Sequence, residues 1–185
     1  MGLGEISRLL WPWDLAALAV FLAAFAAIGW IIEHPPKCRP SVTVLMAQYR
    51  RDWMEVFAGR EVRIFDSQIL DSLRQGTTFF ASTSLVAIGG VLALAGNPAP
   101  LTGLAADLAA EADPDVLWQL KLLVVALMLA LAFLRFVWAT RVFGYCAVVM
   151  GAVPEDADEA DRRDRAMRAA DLNIRAAVNF NRGLL

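Results

Sequence analysis

Hydrophobic positions along this chain fall into three long blocks separated by charge-bearing stretches. The blocks run roughly over residues 15–32, 77–95 and 117–153, and each reaches the ~17–25 apolar residues that a helix needs to cross a bilayer. The third is too long for one crossing. At ~1.5 Å per residue, a helix from Leu117 traverses the ~30 Å hydrocarbon layer by about Phe136. The remainder, Val142–Val153, is therefore predicted to project beyond it as an apolar segment that needs cover.

Pro35-Pro36 ends the first block, since proline supplies no backbone donor and clashes with the preceding turn. Pro40-Ser41 then reads as a helix start with Ser41 as N-cap. Val42, Leu45, Met46, Tyr49, Trp53, Val56 and Phe57 recur three or four apart and predict one apolar face, with Arg50, Arg51 and Glu55 off it. Past Gly59 the pattern resumes at Val62, Phe65, Ile69 and Leu73. The expectation is a long amphipathic helix over 41–75, bent at Gly59, that leads into the second block and covers the protruding part of the third. After Pro154, the pairs Asp158/Arg162, Asp161/Arg165, Asp164/Arg168 and Asp171/Arg175 stand at i,i+4 in the acid-first order that helices favour. Ala160, Met167, Ala170, Ile174 and Ala177 add a thin apolar stripe, which predicts a helix with a solvated outer surface docked on its neighbours.

The fold class is thus an all-α integral membrane protein forming a single membrane domain over residues 1–185. Three transmembrane helices are expected at about 15–32, 77–95 and 117–136, with long amphipathic cytoplasmic helical extensions at about 41–75 and 137–182. A hydrophobic fraction of 58% and a mean hydropathy of +0.52 agree with that solvent.

The formal net charge of −2 is too small to suggest a nucleic-acid partner, and the placement of charge is more telling. Lys37, Arg39, Arg50, Arg51, Arg60, Arg63 and Arg74 lie between the first two blocks, and Arg162, Arg163, Arg165, Arg168, Arg175 and Arg182 follow the third. Residues 96–116 hold no Lys or Arg but carry Asp107, Glu111, Asp113 and Asp115. Basic segments stay on the cytoplasmic side. The expected topology in a bacterial inner membrane puts the N-terminus outside, with residues 37–75 and the C-terminus cytoplasmic. The first block is longer than a signal-peptide core and is followed by Glu33-His34-Pro35-Pro36, so it reads as a retained helix. Cys38 and Cys146 both fall on the reducing side, where a disulfide is not expected.

Enzyme chemistry finds no parts. No nucleophile elbow, phosphate loop or dinucleotide fingerprint occurs, and His34 with Cys38 is too few ligands for a metal. No catalytic residue, cofactor or metal is expected. Polar groups near the spans are the remaining candidates. Thr78, Ser82 and Thr83 have two readings: bonding to their own backbone one turn back, or lining a polar path. Lys121, Arg135 and Arg141 are interfacial anchors that snorkel, or an inner ring of charge. Arg60, Glu61, Arg63, Asp66, Asp71 and Arg74 form either a solvated salt-bridged face or an intersubunit network. Ala19, Ala23 and Ala27 make a close-packing face or reflect plain alanine richness. The expected function is a homo-oligomer forming a pore or permeation path for small ions, with Thr78, Ser82 and Thr83 as lining and Arg135 or Arg141 as inner charge. The alternative is an accessory or scaffold subunit of a larger membrane complex. Expected partners are the lipid bilayer, further copies of the chain and other membrane subunits, with no nucleic acid.

One resemblance runs through most of the chain. It is carried by Arg39-Pro40-Ser41, the run Met46 to Met54 (MAQYRRDWM), the run Arg60 to Leu70 (REVRIFDSQIL) and the run Leu73 to Ser84 (LRQGTTFFASTS). Phe136-Val137-Trp138, Arg141 to Cys146 (RVFGYC) and Asn179 to Gly183 (NFNRG) continue it. In order and spacing these resemble the domain of unknown function 599 family of bacterial and plant membrane proteins. The resemblance implies a membrane fold, names no activity, and implies a fourth hydrophobic helix after the Asn-Arg-Gly stretch.

Overall fold

The computed structural model describes residues 12–33, 40–97, 99, 103 and 115–185. Within them the chain forms five helices and no strand: α1 Pro12–Glu33, α2 Val42–Ala58, α3 Ile64–Gly96, α4 Asp115–Gly151 and α5 Glu159–Leu184. His34 and Cys38, and most of the acidic stretch 96–116, lie outside the described residues.

Two helices, α3 and α4, are long and apolar enough to cross a membrane, and α1 carries a shorter apolar stretch, Ala16–Ile32. Only 6% of the most apolar stretch of α3 and 17% of that of α4 is buried within the chain. A helix at the core of a water-soluble protein would be mostly covered, because leaving apolar area in water costs about 25 cal/mol per Å². These stretches suit an apolar solvent.

The chain divides into two compact units, one over Met1–Ile28 and Ser84–Leu131, the other over Gly29–Thr83 and Ala132–Leu185. In the first, Leu117 and Ala126 of α4 and Ser84 of α3 are buried, whereas Val20, Phe21, Ile28, Leu85, Val86, Leu123 and Leu127 are exposed. Phe21 stacks on Phe25 along α1 at 6.4 Å between ring centroids. Lys121 Nζ lies 5.7 Å from the Trp118 ring centroid, a cation–π contact one turn along the helix.

The second unit holds the core. Met54, Phe57 and Ala58 of α2, Leu70 of α3 and Val142, Phe143, Cys146 and Met150 of α4 pack with Ala166, Ala169, Ala170 and Ala176 of α5. Alanine recurring at this spacing lets α5 approach closely. The last turns of α4, Val142 to Met150, are covered by α2 as expected, and α5 shares the cover. Alongside each other α2 and α5 run antiparallel, tied by Asn181 Nδ2 to Thr43 Oγ1 at 3.1 Å, Arg51 to Asp171 at 3.4 Å, and Arg163 to Glu55. At the end of α5, Phe136, Phe180 and Phe80 form a ring triangle with centroids 5.4–5.6 Å apart. Gly183 is seated on it: a Cβ there would meet the Phe136 ring at 2.7 Å.

Three sequence expectations change. Residues 41–75 form two helices, because α2 stops at Ala58 and α3 begins at Ile64. Ser41 caps α2 as expected, accepting from Val44 N at 3.4 Å. The packed face of α2 is another correction: Met54 and Phe57 face the core, with Thr43, Ala47 and Arg50 half-buried on the same side, while Val42, Leu45, Tyr49 and Val56 are exposed. On α5, Asp158 is the N-cap, accepting from Asp161 N at 3.0 Å, and Asp171 pairs with Arg51. Asp161–Arg165 and Asp164–Arg168 form at 3.0 and 2.7 Å.

Candidate functional site

Polar groups buried in the second unit gather in two clusters. One is built around Asp66, fully buried in the first turn of α3. A carboxylate there faces the positive end of the helix dipole. Trp53 Nε1 from α2 and Arg60 Nη1 from the connection both donate to Asp66 Oδ1 at 2.6 Å. The other oxygen, Oδ2, is buried with no partner among the described residues. Arg63 binds beside it, donating from Nη1 to Val153 O at 2.7 Å and lying over the Phe57 ring at 4.8 Å. Thus Arg63 satisfies a carbonyl left open past the end of α4, a favourable place for a cation. The cluster Arg60, Arg63 and Asp66 works within one chain, fastening α2, α3 and α4 together; Asp71 and Arg74 pair on the exposed side at 3.7 Å.

The second cluster joins α2, α4 and α5. Arg50 donates to Asn173 Oδ1, Asn173 Nδ2 approaches Cys146 Sγ at 3.8 Å, and the thiol donates to Ala169 O at 3.3 Å. Asn173 and Cys146 are wholly buried. Burial works against the charged guanidinium of Arg50 and lowers its pKa from the ordinary arginine value. Such a network holds α5 in one register, because every partner must be matched at once.

Each cluster borders a groove. The first, about 520 Å³, runs past Phe57, Arg63, Asp71, Arg74, Phe143 and Met150. The second, about 530 Å³, lies between α2, α3 and α5 and has Arg50 on its wall. Among the described residues no three His, Cys, Asp or Glu side chains gather as a metal site.

The sequence-derived candidates are scattered. Thr78 Oγ1 donates to Arg74 O at 3.0 Å and Thr83 Oγ1 to Phe79 O at 2.9 Å, each one turn back on its own helix. Thr78 and Ser82 stand about 40° apart around α3, and Thr83 about 100° further round. All three are exposed. Arg135 Nη1 donates to Arg182 O at the end of α5, so its charge caps that helix. Arg141 is exposed on α4. Arg50 and Asn173 were not among these candidates. The signal for Asn173 was present, because it falls in step with Ala166, Ala169, Ala170 and Ala176 on the small-residue face of α5.

A family model described as "Protein of unknown function, DUF599" matches residues 16–184. The chain belongs to that family. No curated protein and no solved structure matches it.

Proposed function

We propose that this DUF599 member is a non-enzymatic integral membrane protein that acts as a scaffold or accessory subunit, its second unit presented at the cytoplasmic face of a bacterial inner membrane. The observation that carries this reading is the second apolar face of α2. A helix of this length docks adequately through one apolar strip. Here Met54 and Phe57 already dock it, yet Val42, Leu45, Tyr49 and Val56 form another strip that stays exposed, 76% at Val42 and 58% at Tyr49. Val62, Ile64 and Phe65 extend the exposed apolar surface past the end of α2. Patches of this kind mark partner surfaces.

Homo-oligomeric permeation for small ions is the second reading, favoured by the exposed hydroxyls of Thr78 and Ser82 standing close together around α3. It asks less of Arg135, which is engaged at the end of α5, and leaves Arg141 as the inner charge. Both readings take the bilayer as solvent and copies of this chain or other membrane subunits as neighbours.

The test is the mass and composition of the particle extracted in mild detergent. A scaffold runs at fixed stoichiometry with other chains, loses them on Tyr49→Glu and Val56→Glu, and passes no ions when reconstituted alone. A closed ring of this chain alone that conducts would favour the permeation reading. A monomer of unchanged mass in both variants overturns both.

A further inference from the structure

Arg50 is a cation set in a mostly apolar wall, and among the described residues it forms no ion pair. Its guanidinium has five N–H donors, and its hydrogen bond among the described residues goes to a neutral amide, Asn173 Oδ1. Arg50 is half-buried, and a charge partly withdrawn from water gains from an ionic partner that restores the hydration it loses. The other groove differs on this point: Arg63 there is used on Val153 O and Arg74 on Asp71.

The groove beside Arg50 has the volume of a ligand pocket, about 530 Å³. About two turns along the groove from Arg50, Thr43 and Asn181 are already bonded to each other. Away from it the walls are aliphatic and aromatic: Met46, Ile174, Val178, Phe180 and Leu184. The groove also reaches Ile32 in the apolar stretch of α1, and Gly76 and Thr77 of α3. One cation at one place and an apolar trough running from it match a molecule with one anionic end and a long hydrocarbon body.

We propose that this groove binds an anionic lipid-like amphiphile, with a headgroup or carboxylate oxygen on Arg50 and one acyl chain along the α5 wall at Val178 and Leu184. The site rests on the membrane reading only for the source of its ligand, a bilayer phospholipid. A free fatty acid offers the same chemistry. Arg50 donates to the bound oxygen while it keeps Asn173 Oδ1, so the ligand completes the second cluster and draws α2 and α5 together.

The experiment is native mass spectrometry of the detergent-purified, delipidated full chain, titrated with dioleoyl phosphatidylglycerol, dioleoyl phosphatidylcholine and oleate in turn. The wild type is expected to hold phosphatidylglycerol about tenfold more tightly than phosphatidylcholine, as a charge-assisted hydrogen bond would give. Arg50→Gln should abolish that preference and Arg50→Lys retain part of it. Val178→Trp fills the trough without touching the Arg50–Asn173 pair and should weaken both phosphatidylglycerol and oleate; it serves where Arg50→Gln fails to fold. Oleate bound as tightly as phosphatidylglycerol would support the site with a fatty acid as the source. Equal binding of the two phospholipids, phosphatidylglycerol and oleate affinities left unchanged by Val178→Trp, or full displacement by inorganic phosphate would overturn it. Release of the protein from membranes by alkaline carbonate would sink the membrane reading separately, and the oleate arm would still be decisive for the groove.

Discussion

Trp53 Nε1 on α2 and Arg60 Nη1 share a single acceptor, Asp66 Oδ1, each at 2.6 Å. Asp66 is fully buried while Arg60 is 37% exposed. The pair is therefore half inside and half in solvent, and removal of the carboxylate strands an indole donor more than it strands a buried cation. Asp66→Ala is expected to cost about 2–3 kcal/mol, below the ~3–5 kcal/mol of a fully buried broken pair. Denaturant unfolding in one fixed detergent measures it, with Trp53 fluorescence reporting the loosened α2–α3 turn. A loss under about 0.5 kcal/mol would show that the cluster holds nothing.

Gly183 has no room for a methyl group. Its absent Cβ would lie 2.7 Å from a Phe136 ring that is already boxed in by Phe80 and Phe180. Gly183→Ala should therefore destabilise by about 1–3 kcal/mol, the usual penalty for overpacking. Adding Phe136→Leu should recover much of that loss. Failure of the double variant to recover would place the strain elsewhere.

Cys146 is inaccessible, with no exposed area and its thiol donating to Ala169 O. In a Cys38→Ser background, a maleimide should leave Cys146 unmodified in the native protein and label it fully in denaturant. Rapid native labelling would mean that α5 opens away from α4.

Thr78 and Thr83 bond to their own helix, so replacing both with valine removes nothing that another element uses. On the scaffold reading, the double variant Thr78→Val, Thr83→Val keeps its stability within about 0.5 kcal/mol and its partners unchanged. On the permeation reading, flux falls. Reconstituted flux and the mass of the extracted particle separate the two.

Much of the helical layout is legible in residue order, and the places where it is not have a common cause. Hydrophobic length marks α3 and α4, Ser41 marks the start of α2, and Pro154 falls between α4 and α5, because these are local signals. The packed face of α2 is not local. That helix carries two candidate faces, and the one that packs uses Thr43, Ala47 and Arg50, which read from sequence as small or polar. What decides between them is Asn173, 123 residues away from Arg50 in the chain, matched across an alanine-rich surface. Asp158 shows the same competition at short range: the i,i+4 spacing suggests a pair with Arg162, but at the first turn the free backbone N–H of Asp161 takes the carboxylate. Charge spacing alone cannot rank a cap above a pair. The cluster at Asp66 was visible as a dense run of charges, yet its burial depends on Trp53 arriving from α2.

The central claim is that the exposed apolar face of α2 meets another polypeptide. Site-specific photo-crosslinking from position 49, in place of Tyr49, in intact membranes tests it most directly, with Arg51, exposed on the polar side of α2, as the control position. The account predicts a discrete protein adduct of constant mass from position 49 and none from position 51. Labelling of lipid alone from position 49, with no protein adduct, would contradict it and make α2 a helix that rests on the membrane surface.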